Sequence, residues 1–190
     1  MQLEFLKFRR MEPGDAREYK DAANETLEDL KLYKNELAEG SSMSVKDIRA
    51  SIHYGNLFPK KNIDYFVLMN GRQLVAYGYA VQRAGDAWSE LGLWVRKRYQ
   101  GSGCGTLMLT LLAKHAFENH SSVGVYIVRD AGNFAMAALS KKLGFKYDAL
   151  FDRKPAHELD KDNIENDRVA GIDVRHSLVW DEKCALRFAA

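Results

Sequence analysis

The sequence predicts an α/β fold of the α+β kind, a mixed and mostly antiparallel central sheet of about six to seven strands flanked by helices. Three observations carry this expectation. Apolar residues recur at helical spacing near the amino end; alternation of period two takes over around an Asn70-Gly71 turn; and a glycine-rich stretch, Gly101 to Gly105, separates those strands from a further helix pattern.

The elements follow in order. Leu3 to Arg9 alternates apolar and polar residues as a strand does, and Pro13-Gly14-Asp15 punctuates the chain. From Asp15 to Glu39, Tyr19, Ala22, Ala23, Leu27, Leu30 and Tyr33 mark one helix face. Ser44 opens a second helix with Asp47 at the reciprocal capping position. Tyr65 to Met69 and Leu74 to Val81 form a hairpin about Asn70-Gly71, and Trp88 to Val95 returns as a third antiparallel strand. Leu107, Met108, Leu111, Leu112 and Ala116 then define a helix, and Val123 to Val128 a short apolar strand. A helix from Asn133 to Leu143 ends on Gly144 as its left-handed cap with Phe145 as the apolar contact. Phe145 to Phe151 and Ile172 to Trp180 make a last strand pair, joined by the charged stretch Asp152 to Gly171, expected to be a mobile loop.

Size and charge narrow the function. With 190 residues and 46% hydrophobic content, the chain suits one domain, 1–190, that buries a continuous core. Lys and Arg number 28 against 26 Asp and Glu, so no broad field recruits nucleic acid or an anionic membrane, and any anion must be held locally. Cys104 and Cys184 form no disulfide framework, the histidines show no metal spacing beside cysteine or carboxylate, and Met1 to Phe8 lacks the core of a signal peptide. No apolar run reaches bilayer length. The expectation is a cytoplasmic protein with no metal and neither a nucleic-acid nor a membrane partner.

The segment Gln100-Gly101-Ser102-Gly103-Cys104-Gly105-Thr106 is where an anion would sit. A helix begins within it, its glycines leave backbone N–H groups unobstructed, and Arg96, Lys97 and Arg98 precede it. An ordinary glycine turn explains the composition equally well. A dinucleotide fingerprint counted from Gly101 would need glycine at Thr106 and a parallel βαβ setting, and a P-loop would need Gly-Lys followed by Ser or Thr; neither is present here. Coenzyme A remains.

At this point the chain resembles the GCN5-related N-acetyltransferase (GNAT) superfamily. Gln100, Gly103 and Gly105 match its cofactor motif, Q/R-x-x-G-x-G/A. Asn133, Leu139, Lys142, Leu143, Gly144 and Phe145 match its second motif, N-x-x-A/S-x-x-L-Y-x-K-L-G-F. The stretch Arg9 to Ala16 is similar to the first strand and helix start, so the resemblance covers nearly the whole chain. Glu90-Leu91-Gly92-Leu93-Trp94-Val95 and Asn24 to Tyr33 look more like the Rim-type branch, which acetylates protein N-termini. Met136 departs from the motif's small residue, and Ser140 stands where many members carry a tyrosine acid.

The resemblance implies an acetyl-CoA-dependent N-acetyltransferase that passes the acetyl group directly to a primary amine, on a protein N-terminus or a small molecule. Acetyl-CoA would be held by Leu93, Trp94 and Val95, by Gln100, Gly101, Ser102, Gly103, Cys104, Gly105 and Thr106, and by Asn133. The strands would splay at Val95. Even spacing places Glu90 with Gly92 and Trp94 on one strand face, opposite Leu91, Leu93 and Val95. There Glu90 would serve as the base, and it reads equally as a solvated strand residue. Ser140 could hydrogen-bond the leaving sulfur; Tyr147 and His176 are other polar groups that could line the cleft. Cys104 reads as a small residue closing the phosphate turn rather than as a nucleophile. The amine would enter near Tyr19 to Ile52 and Asp152 to Gly171, and an exposed last strand could support a homodimer by edge pairing. The alternative function is a non-catalytic acyl-CoA sensor or scaffold.

Overall fold

The computed structural model describes residues 2–32, 43–57, 62–82, 85–152 and 172–179. In chain order the elements are β1 (Lys7–Arg10), α1 (Ala16–Leu32), α2 (Val45–Leu57), β2 (Asn62–Asn70), β3 (Gln73–Gln82), β4 (Trp88–Val95), α3 (Cys104–Asn119), β5 (Gly124–Asp130), α4 (Phe134–Lys142), β6 (Lys146–Asp152) and β7 (Ile172–Val179). The seven strands form one sheet in the order β1-β2-β3-β4-β5-β7-β6. Every pairing is antiparallel except β4 with β5.

Local chemistry sets the boundaries. Ser44 accepts the Asp47 N–H on its hydroxyl at 3.1 Å while Asp47 accepts the Ser44 N–H at 3.3 Å, the reciprocal cap expected at the start of α2. At the end of α4, Gly144 sits at φ +85° and donates to Lys141, and Phe145 donates to Ser140, as a glycine-capped helix should.

The Pro13-Gly14-Asp15 punctuation is a 3-10 turn, as read, closed by the Glu12 N–H donating to Asp15. Four details depart from the sequence reading. Leu3–Phe5 is also a 3-10 turn, so β1 starts only at Lys7. The hairpin loop is Gly71-Arg72 rather than Asn70-Gly71, because Asn70 still pairs with Gln73 and only Gly71 needs positive φ. The last strand is not an edge: β7 lies between β5 and β6, so edge pairing would fall to β1 or β6. The parting of β4 from β5 begins five residues before Val95, as described below. The charged stretch, 153–171, and the residues after Leu32 assigned to the first helix lie outside the described residues.

The sheet carries an apolar cluster on each face. One packs Leu68, Leu91, Leu93, Val125 and Ile127 against Met108, Leu109, Leu112 and Ala116 of α3. The other packs Val67, Leu74, Tyr77 and Trp94 against Tyr19, Ala22 and Ala23 of α1 and Ile48 and Ile52 of α2. A fully buried side chain such as Leu91 or Leu112 contributes about 1.5–3 kcal/mol over exposure. The two clusters anchor α3 and α1 on opposite faces of β4, the strand that runs into the glycine loop.

Candidate active site

Three rungs pair β4 with β5: Trp88 with Gly124, Ser89 with Val125 and Glu90 with Tyr126. Beyond Glu90 the two strands part. From Leu91 to Val95, β4 remains hydrogen-bonded to β3, from Ala80 back to Ala76, while β5 continues beside β7. The side of β4 that faces the gap therefore has backbone groups with no strand partner among the described residues, the setting in which an extended ligand carrying amides adds as a strand.

Glu90 stands at the apex of this gap. Its carboxylate, half-buried, accepts from the Tyr79 hydroxyl at 3.2 Å and from the Tyr126 hydroxyl at 3.3 Å. Alternation along β4 puts Leu91 and Leu93 into the α3 core and Trp94 against Tyr19 and Tyr77, as the spacing predicts. The Leu93 and Trp94 side chains are buried, so these residues meet a ligand through their backbone.

The loop lies at the open end of the gap. Gly101 and Gly103 adopt φ +71° and +88°, and Gly103 precedes α3 without a side-chain cap. The first helical hydrogen bond runs from Leu107 to the Gly103 carbonyl. The N–H groups of Cys104, Gly105 and Thr106 thus have no partner in the helical ladder, and with the helix dipole they make an anion site built from backbone. A Cβ on Gly105 would stand 3.5 Å from both Val95 and Leu139, which shows how closely the start of α3 approaches β4 and α4. Ser102 donates to the Tyr99 carbonyl and lies 3.2 Å from Cys104 Sγ, and Cys104 is buried.

The basic triplet before the loop does something the sequence did not suggest. Arg96 is buried and donates to Glu25 at 2.7 Å and Glu18 at 2.6 Å. Lys97 reaches Asp29 at 2.6 Å, and Arg98 lies 3.6 Å from Glu25. Gln100 donates to Asp29 at 2.9 Å and to the Val95 carbonyl at 3.3 Å. These cations face α1 carboxylates, so they fasten the loop to α1 rather than supplying its charge to a phosphate. The hydrogen bond from Lys97, joined by one from Gln100, holds the Asp29 carboxyl below its usual range despite partial burial.

On the far wall, Asn133 caps α4 by accepting the Met136 N–H at 3.0 Å. Ser140 is fully buried, and its hydroxyl donates to the Met136 carbonyl at 2.8 Å, so its proton is committed within its own helix. His176 is buried and accepts from Arg129 at 3.1 Å, whereas Tyr147 is exposed and lies edge-on to His176. Burial, and then the Arg129 charge, push His176 below the usual imidazole value.

Sequence reasoning did not find Tyr79 and Tyr126, which carry no local signal and reach Glu90 only through the pairing of β4 with β3 and β5. It also missed the convergence of Asp64, His115 and His120, whose ligand atoms lie within 4.8 Å of one another.

A sheet that opens between two parallel strands, with an uncapped helix start at its mouth and a carboxylate at its apex, can seat an extended ligand that carries amides and an anionic group. In accord with this, a family model of the acetyltransferase (GNAT) domain matches residues 6–146, and the chain belongs to that family. No curated protein matches it in sequence. Among solved structures it is similar to RimL, a ribosomal L7/L12 α-N-protein acetyltransferase in complex with coenzyme A, at 11% identity and TM-score 0.76 over 92% of this chain and 94% of that one. It is similar to a ribosomal-protein-S5-alanine acetyltransferase from Vibrio fischeri, at 14% identity and TM-score 0.71 over 96% and 97%. It is also similar to a chimeric spermidine N-acetyltransferase from Vibrio cholerae and hSSAT, at 15% identity and TM-score 0.71 over 92% and 95%. At these identities the likeness is one of fold. No helix among the described residues is long and apolar enough to cross a membrane.

Proposed function

We propose that this chain transfers an acetyl group from acetyl-CoA directly to a primary amine, either a protein N-terminus or a small-molecule amine. The observation that carries the reading is the parting of β4 and β5 immediately after Glu90 and Tyr126, with the uncapped start of α3 at the open end. Acetyl-CoA supplies the activated thioester.

The residues present suit it. The N–H groups of Cys104, Gly105 and Thr106 receive the pyrophosphate, and Gly101, Ser102 and Gly103 leave it room to approach the backbone. Gln100, tied to Val95 and Asp29, holds the turn in place. The backbone of Leu93, Trp94 and Val95 pairs with the amide-bearing arm and turns N–H groups toward the thioester carbonyl, stabilising the charge that develops on its oxygen. Glu90, directly or through a water, takes the proton that an ammonium must shed before its nitrogen attacks, and Tyr79 and Tyr126 fix the carboxylate. Asn133, the cap of α4, also contributes to holding acetyl-CoA. Ser140 serves the leaving sulfur only after its hydroxyl turns from Met136. The reaction belongs in a reducing cytoplasm, consistent with Cys104 as a buried free thiol.

The test is to mix the purified protein with acetyl-CoA and follow thiol release across peptides beginning with Ser, Ala or Met, polyamines and free amino acids. Release that depends on one acceptor class supports the transfer and names the substrate. Calorimetric binding of CoA with no acceptor-dependent release would favour an acyl-CoA sensor, and absence of CoA binding would overturn the reading.

A further inference from the structure

A side-chain cluster at the opposite end of α3 from the glycine loop carries a separate inference. Asp64 on β2, His115 on α3 and His120 at its carboxyl cap converge from positions 51 and 56 residues apart in sequence. His115 Nε2 lies 2.7 Å and His120 Nε2 3.0 Å from the same carboxylate oxygen, Asp64 Oδ2, while Arg10 holds Oδ1 at 2.8 Å. All three side chains are largely buried, at 13%, 12% and 6% exposure for Asp64, His115 and His120. His115 and His120 lie 11 and 16 residues along the helix from Cys104, about 17 and 24 Å from the start of α3.

We propose that Asp64, His115 and His120 bind one borderline transition-metal dication, of which Zn2+ is the best match. Imidazole and carboxylate suit such an ion, and three protein ligands with one water complete a tetrahedron. Bonds of about 2.0–2.2 Å set ligand atoms about 3.3 Å apart in that geometry, so the contacts at 2.7 and 3.0 Å need to open by about 0.6 and 0.3 Å while the two imidazole nitrogens, within 4.8 Å of each other, settle at the same separation. The groups behind the ligands are in place. Ser89, fully buried, bonds His120 Nδ1 at 3.0 Å and Ser122 at 2.7 Å, and Asn119 lies 3.2 Å from His115 Nδ1.

The proton count is simple for neutral imidazoles. In the metal-free arrangement each Nε2–H donates to Asp64, and each Nδ1 accepts. On binding, both Nε2 lone pairs go to the ion and both ring protons move to Nδ1. Ser89 Oγ accepts the one on His120 and turns its own proton to Ser122, while Asn119 rotates its amide oxygen toward His115. No proton leaves, and no oxidant or reductant is needed.

Arg10 is the group that opposes the ion, because its guanidinium already neutralises Asp64. It is also 59% exposed, so it can swing outward and uncover an entry path. The site joins β2 to α3 and, through Ser89, touches β4 one residue before Glu90, so its occupation would brace the sheet behind the closed end of the acetyl-transfer gap.

The experiment uses untagged protein freed of metal by chelator dialysis. Co2+ is titrated while its visible d–d absorption is followed, and Zn2+ is then added in competition with a chromophoric chelator. The expected result is one ion per chain, a strong low-symmetry Co2+ band that Zn2+ abolishes, and a rise in Tm with Zn2+. His115→Gln and His120→Gln should each weaken binding by more than about tenfold, and Ser89→Ala by about tenfold, as loss of a supporting hydrogen bond does. Arg10→Gln should tighten binding; this variant and Ser89→Ala keep the test decisive if a histidine variant fails to fold. Absence of saturable binding, or binding that the histidine and Ser89 variants leave unchanged, overturns the proposal and leaves the cluster a hydrogen-bonded clasp.

Discussion

The Glu90 carboxylate and the Tyr126 hydroxyl meet at 3.3 Å on the last rung that joins β4 to β5, so the candidate base is fixed at the point from which the gap opens. With Tyr79 donating to its other oxygen, the carboxylate is oriented by phenols from both neighbouring strands. Glu90→Gln keeps the shape and removes the basicity. Turnover should fall by about 10²–10⁴-fold, while CoA affinity measured by calorimetry stays within about threefold. Equal turnover in the variant would remove Glu90 from the mechanism.

Gly92 tests the same arrangement from beneath. It pairs with Tyr79 across β3 and β4, and a Cβ there would lie 2.3 Å from the Tyr79 ring. Gly92→Ala must push that ring aside and take its hydroxyl from Glu90. Overpacking of this kind costs about 1–3 kcal/mol. We expect a lower urea midpoint together with a kcat loss larger than that of Tyr79→Phe, which removes the hydroxyl alone.

The basic triplet predicts a division of labour. Arg96 is 7% exposed and holds Glu18 and Glu25, each about 30% exposed, so solvent can partly rescue the carboxylates when it is lost. Arg96→Ala should cost about 2–3 kcal/mol, the value of charged hydrogen bonds rather than of a fully buried pair. Lys97→Ala and Arg98→Ala, at the surface, should each cost under about 1 kcal/mol and change CoA affinity less than about threefold. A larger loss of CoA affinity in either would restore the phosphate role that their position beside the loop suggests.

How much of this was legible depended on the range of the interaction. The bounds of β4, the Ser44–Asp47 cap and the Gly144-Phe145 helix end are local patterns, and the structure reproduces them. Glu90 could be placed on the face of Gly92 and Trp94 because alternation is a property of one strand. What holds Glu90 was not legible, since Tyr79 and Tyr126 reach it through strand pairing. The same limit hid the destination of Arg96, whose carboxylate Glu25 is 71 residues away, and the convergence of Asp64 with His115 and His120. The edge position expected for the last strand failed for a topological reason, because β7 inserts between β5 and β6. The splay was expected at Val95 and begins after Glu90, because pairing register carries no local sequence mark.

Gly103 is the loop position where a side chain is least tolerable. Its φ of +88° lies in the left-handed region, and a Cβ would come within 3.2 Å of Leu3. Gly103→Ala should destabilise by roughly 1–2 kcal/mol. If strain instead shifts the start of α3, the N–H groups that receive the pyrophosphate move with it, and CoA should bind at least about tenfold more weakly. Thermal unfolding and calorimetry on the same sample separate the two effects.

His176 gives the protein a stability change near neutral pH. Burial, reinforced by the nearby Arg129 guanidinium, lowers its folded-state value below the roughly 6.5 of an unfolded histidine. In the folded chain the neutral ring accepts from Arg129 Nε at 3.1 Å, a bond that protonation removes. As pH falls below about 6.5, the unfolded chain takes up a proton that the folded chain refuses. Stability is therefore full above that pH and declines through it, by at most about 1.4 kcal/mol per pH unit from this group, until the lowered folded value is passed. His176→Gln keeps an acceptor for Arg129 and removes the titration. Urea midpoints measured between pH 5 and 8 should fall less steeply on acidification in this variant than in the parent chain. Parallel curves would mean that His176 is protonated equally in both states, and that its contact with Arg129 does not set its charge.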